Sequence, residues 1–136
     1  MSNRQLIYTI LFLGLSYNSL SQQHMNIEGF QPELNYDNVH TYQLDSDSNL
    51  TSTLIWIKES VPEHYHKNHS EIVYVLEGSA EVQLDDMIKT VKSGDYLFIP
   101  AGTKHKVTVK NEETLKVLSI KSPLFDGSDR VFTDEY

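Results

Sequence analysis

Short runs of strand-forming residues, punctuated by turn formers and lacking a helical period, most constrain what this chain can become. Residues 51–58 bring Thr51, Ile55, Trp56 and Ile57. Residues 71–77 hold the apolar run Ile72-Val73-Tyr74-Val75-Leu76, and residues 80–84 alternate Glu81, Val82, Gln83 and Leu84. β-Branched and aromatic side chains suit a pleated, half-buried surface. Further strands are expected over 38–44, 63–66, 88–91, 96–99, 105–109 and 115–120, with Pro62 interrupting ahead of the 63–66 segment. The breaks between them are a polar stretch at 45–49, Gly78, Asp85-Asp86, Lys92-Ser93-Gly94-Asp95 and Pro100-Ala101-Gly102, all turn-forming chemistry. Eight or so short strands at regular spacing imply an all-β sandwich or barrel. A closed β-barrel or jelly roll is the expected form, because closure leaves few exposed edges. The 72–76 run is expected to be buried on both faces, and Trp56, Tyr74, Tyr96 and Phe98 to pack in the core.

Residues 1–21 differ from the rest. Arg4 is their one charge, residues 6–15 are mainly apolar, and Ser19 and Ser21 sit like the small residues before a cleavage site. This is the pattern of a signal peptide. The apolar stretch is far below the roughly 20 residues needed to span a bilayer. The expected organisation is a signal peptide at 1–21, an N-terminal arm at 22–37, a β-barrel at 38–121 and a C-terminal tail at 122–136. The expected destination is the periplasm or the medium. The chain has no cysteine, which excludes a lipoprotein-type lipid anchor and any disulfide. A mature chain of 115 residues still buries roughly 65% of the surface its unfolded form exposes.

The net charge is −8, and cleavage after Ser21 makes it −9 because only Arg4 is lost. Such a surface repels phosphate backbones and anionic lipid heads, which argues against nucleic acid and membrane partners. The acidic residues are spread along the chain, as on a solvated surface.

The segment His64-Tyr65-His66-Lys67-Asn68-His69-Ser70-Glu71 carries the chemistry. Residues i and i+2 of a strand share a face, so His64 and His66 aim at one point while Tyr65 faces away. Glu71 opens the next strand after a short loop. His105 follows the Pro100-Ala101-Gly102 turn and is the remaining histidine of the strand region beyond this segment. Neutral imidazoles with a carboxylate suit a divalent transition metal: Zn, Fe, Mn, Cu, Ni or Co. For a protein loaded outside the cytosol, raw affinity favours Cu and Zn. His69 reads as an exposed loop residue, and His24 and His40 as surface or edge-strand residues. Lys104 and Lys106 flank His105 on the opposite strand face.

The spacing His64-x-His66-x4-Glu71-x6-Gly78 resembles the first motif of the cupin superfamily. Gly94-x5-Pro100-x-Gly102-x2-His105 resembles the second. The resemblance covers about residues 51–120. It implies a double-stranded β-helix barrel with one metal ion held inside by His64, His66, Glu71 and His105. There are two departures. The family's glycine six residues before the first histidine falls on Lys58, and its asparagine four residues after the last falls on Val109, with Asn111 two further on. Neither is a ligand position.

The resemblance implies a small-molecule ligand or substrate and pairing of barrels into a homodimer. Four protein ligands leave open positions on a five- or six-coordinate ion, which separates a reactive site from a closed structural one. Dioxygenase-type and isomerase- or lyase-type chemistry are both open, as is a non-catalytic metal- or ligand-binding module, since fold does not choose among them. With Glu71 a ligand, proton transfer would need another base, such as a pocket tyrosine. In the tail, Phe125 is expected at the barrel mouth, and Arg130 either anchors an anionic substrate or pairs with a nearby acid.

Overall fold

Alternation along each strand is resolved by register. The computed structural model describes residues 24–32 and 35–133; the predicted signal peptide lies outside them. Among the described residues ten strands form: β1 Val39–Ser46, β2 Thr51–Ile57, β3 Ser60–His66, β4 Ser70–Glu77, β5 Ser79–Leu84, β6 Met87–Lys92, β7 Tyr96–Ile99, β8 His105–Thr108, β9 Leu115–Ser122 and β10 Arg130–Phe132. They pair antiparallel in two five-stranded sheets, β1-β2-β9-β4-β7 and β10-β3-β8-β5-β6. The all-β jelly-roll expectation is met.

The strand edges differ from the sequence reading in instructive places. β3 begins before Pro62, because a bulge between Val61 and His64 accommodates the proline, as bulges do. The tail supplies a strand that its composition did not announce: β10 pairs with β3, setting Arg130 opposite His66 and Phe132 opposite His64. Gly78 turns β4 into β5 at φ +79°, where a Cβ would lie 2.6 Å from the Thr114 carbonyl oxygen, so only glycine fits without a shift.

The core lies between the sheets, where Ile57, Val75, Ala80, Val82, Val91, Leu115 and Val117 cluster. Burying each large member contributes about 1.5–3 kcal/mol. The outer face of the first sheet is covered on one side only. Phe30 from the arm stacks on Tyr42 and Trp56, with centroids 4.7 and 6.1 Å away. The Lys116 ammonium donates to the carbonyls of Ile27 and Glu28 and to Glu77. Leu54, Trp56 and Lys116 are thereby buried. On β4 and β7, Tyr74, Tyr96 and Phe98 are 42%, 61% and 54% exposed. This corrects their expected core role and the two-sided burial of the 72–76 run: the arm residues 25–28 border a surface cleft beside Tyr74 without covering its ring.

Candidate metal centre

The two sheets contribute different chemistry to one point. From the second sheet come His64 and His66 on β3 and His105 on β8, with His64 and His105 directly opposite in register. All three are buried, and each offers a nitrogen so that these ligand atoms lie within 4.8 Å of one another. From the first sheet comes Glu71 on β4, its Oε2 3.6 Å from His66 Nε2 and 3.5 Å from His105 Nε2. The structure thus brings together all four residues singled out in the sequence.

Local hydrogen bonds set the tautomers. The Nδ1 of His64 lies 2.8 Å from the Pro62 carbonyl, and that of His105 lies 2.9 Å from the Thr103 carbonyl. A carbonyl only accepts, so each Nδ1 carries the proton and each Nε2 keeps its lone pair. The buried Nε2 atoms of His66 and His105 have no hydrogen-bond partner. Buried polar atoms are normally satisfied. Unpaired imidazole nitrogens converging beside a carboxylate are what a transition-metal ion would satisfy.

Glu71 is braced from behind. Its Oε1 accepts from Ser119 and lies 2.9 Å from the Lys121 ammonium, which also donates to the Ser119 hydroxyl at 2.7 Å. Lys121 stands directly opposite Glu71 in the β4–β9 register. Burial alone would raise the Glu71 carboxyl. The adjacent imidazoles of His105 and His66, the Lys121 charge and the Ser119 hydroxyl outweigh it and hold the group well below the usual range. Burial, with help from the neighbouring His105, depresses His64 to about 4. Both residues are therefore in ligand form at neutral pH.

His69 corrects a sequence expectation. It is buried, its Nδ1 2.8 Å from Asp129 Oδ2. Asp129 also accepts from the Asn68 backbone N–H, and its Oδ1 lies 3.7 Å from His66 Nδ1. A carboxylate behind a ligand histidine fixes ring orientation. Phe125 packs on His66 and His69, with centroids 5.2 and 4.7 Å away. The tail thus closes over the histidines. Sequence reasoning missed Asp129, Ser119 and Lys121. The one available signal was charge on a β9 position whose odd-numbered neighbours Leu115 and Val117 face the core.

A cavity of about 280 Å³ opens beside this cluster between the sheets. His64, Glu71, His105 and Lys121 face one part of it, and valines, leucines and isoleucines line most of the remainder, with Thr41, Pro62, Arg130 and Phe132. Among the described residues no tyrosine lines it, so the pocket-tyrosine base has no candidate here.

The cupin domain family model matches residues 53–121. The chain is 36% identical over 96 residues to an uncharacterized protein of Aquifex aeolicus, covering 70% of this chain and 78% of that one. It is 31% identical over 78 residues to quercetin 2,3-dioxygenase of Bacillus subtilis, covering 57% of this chain but 23% of that enzyme. A solved structure from Klebsiella pneumoniae, an uncharacterized protein with a double-stranded β-helix domain, superposes with a TM-score of 0.70 at 13% identity. It covers 85% of this chain and 100% of that one. The matched span contains both motifs, strands of both sheets and all four converging residues: the chain belongs to the cupin domain family.

Proposed function

We propose that this cupin holds one divalent transition-metal ion through His64, His66, Glu71 and His105 and acts as an exported metalloenzyme on a small organic molecule. The observation that carries the reading is the pair of unpaired, buried Nε2 atoms on His66 and His105, facing Glu71 Oε2 at the edge of an apolar cavity. When bound, the ion would supply Lewis-acid chemistry, or oxygen chemistry if it is iron. The chain's own residues orient the site. Lys121 and Ser119 hold Glu71, the Pro62 and Thr103 carbonyls hold two imidazoles, and the valine-rich wall excludes water.

Dioxygenase-type and isomerase- or lyase-type reactions both fit a pocket with an apolar wall and open coordination positions. The likeness to quercetin 2,3-dioxygenase favours trying the first. Oxygen uptake by iron-, manganese- or nickel-loaded protein with quercetin tests it. Solvent deuterium exchange into a small carbonyl compound tests the second. One observation favours the alternative of a non-catalytic binding module: Glu71 is the sole carboxylate among the described lining residues, and it serves as a ligand. Ligand binding without turnover in both assays would establish that alternative.

Export rests on the pattern of residues 1–21, and a mature N-terminus at Gln22 in protein recovered from its source would bear it out. Pairing into a homodimer is supported by the exposed Tyr74, Tyr96 and Phe98 on adjacent strands β4 and β7. Light scattering after chromatography measures it.

A further inference from the structure

The cavity has a polarity of its own, and it names a ligand class. Its exposed lining residues are Val39, Thr41, Arg130 and Phe132. All four lie on β1 and β10, the edge strands on one side of the two sheets. The mouth therefore lies between those edges. Arg130 stands opposite His66 and Phe132 opposite His64 in the β3–β10 register. Side chains directly opposite in a ladder share a face, so Arg130 flanks the mouth beside the metal-binding histidines. Its guanidinium rests over the Phe125 ring, 5.4 Å from the centroid, and among the described residues it has no carboxylate partner within ion-pair distance.

The charge balance at that end favours an anion. Glu71 is the sole carboxylate lining the cavity among the described residues, and the Lys121 ammonium already neutralises it. Asp129 lies behind His66, turned to His69 and the Asn68 amide, and does not line the cavity. A divalent ion added here would sit in a pocket whose protein charge is positive through Arg130. The rest of the wall, including Val75, Val82, Val91, Leu115 and Val117, offers no charge. At about 280 Å³ the chamber stands at the small end of ligand sites, which run about 300–1,000 Å³.

We infer that the ligand is a small organic acid, an apolar body with one anionic head, whose head binds Arg130 beside the metal while the body fills the valine-lined chamber. This rests on the metal-centre reading for the ion but not for Arg130. A guanidinium pairs with carboxylates through charge-assisted hydrogen bonds. Thr41, the other polar residue at the mouth, carries no charge and cannot select an anion over its neutral analogue.

Calorimetry on zinc-loaded protein at pH 7, with zinc content measured on the same samples, tests the inference. The probes are hexanoate, its neutral analogue hexanamide, and acetate, which has the head without the body. Hexanoate should bind at least about tenfold more tightly than either, as a charge-assisted contact plus apolar burial requires. Arg130→Gln should lose about tenfold in hexanoate affinity while keeping its zinc and its affinity for hexanamide, and Arg130→Lys should recover part of the loss. In the zinc-free His64→Ala/His105→Ala protein the preference for hexanoate over hexanamide should survive at lower affinity. Equal binding of hexanoate and hexanamide, or an unchanged Arg130→Gln, overturns the inference even if zinc is bound. Failure of the wild type to take up zinc, with the Arg130-dependent preference intact, overturns the metal centre and leaves this inference standing.

Discussion

Strand β9 carries two fully buried lysines, and they do opposite things. Lys116 points to the outer face of its sheet, where three acceptors, the Ile27 and Glu28 carbonyls and Glu77, match the three protons of its ammonium. It is a fastening: the arm is tied over Leu54 and Trp56, and no hydrogen-bonding capacity is left over. Lys121, five residues on, points inward. It donates to Glu71 and Ser119 and has the Phe125 ring 5.0 Å away. It borders the cavity and sets the carboxylate that faces His66 and His105. Burial alone does not separate the two, since both are at most 3% exposed. What separates them is whether the bonded network ends on itself or ends at unpaired atoms beside an opening.

The comparison can be broken from either side. Lys116→Met should cost about 1–3 kcal/mol in denaturant unfolding, the usual result of leaving part-buried carbonyl acceptors without their donor, with metal content unchanged. Lys121→Met should do the reverse of that selectivity. Metal affinity should fall about 10–100-fold, the typical effect of losing a group that holds a ligand, measured by competition with a chromophoric chelator. If Lys116→Met also lowered metal affinity, the two faces would not be independent. Ser119→Ala keeps the Lys121–Glu71 pair and should weaken metal binding by a smaller factor, about tenfold or less.

Acid should act on the inner face first. The His64 ring binds its proton less tightly in the folded protein than in an unfolded chain, about 4 against 6.5. Between those values the unfolded chain takes up a proton that the folded one refuses, so metal-free stability should fall as pH drops from 6.5 toward 4. Glu71 is held well below 4.5. Its stabilisation is present above 4.5 and is lost as pH falls further. The signs agree. The slope between pH 6.5 and 4 should shrink in His64→Ala, and a wild-type stability that is flat or rises over that range would contradict it. The smallest effect belongs to the uncovered part of the outer face. Phe98→Ser should change unfolding free energy within about 0.5 kcal/mol per chain, yet shift light scattering to monomer if that patch pairs two copies.

The four converging residues were legible because strand alternation is a local rule. His64 and His66 share a face whatever the rest of the chain does, and the two motifs with glycine and proline turns tie Glu71 and His105 to them. The residues that support the site were not legible, because each depends on register between distant strands. Nothing near Lys121 in the sequence says that it will stand opposite Glu71. Nothing in 122–136 says that Arg130–Phe132 will pair with β3 and bring Asp129 to His69. The aromatic residues failed in the other direction. Trp56 and Tyr74 look equally suited to a core, but on the outer face of their sheet Phe30 of the arm packs on Trp56, while the arm only borders a cleft beside Tyr74 and leaves it 42% exposed.

Metal stoichiometry tests the centre most directly. Elemental analysis should find one equivalent of a divalent transition metal per chain in protein loaded and then dialysed. In His64→Ala/His105→Ala treated in the same way it should find almost none, with the circular dichroism of an intact all-β fold. A double variant that keeps its metal at the wild-type level, or a wild type that retains none after loading, would contradict the assignment of His64, His66, Glu71 and His105.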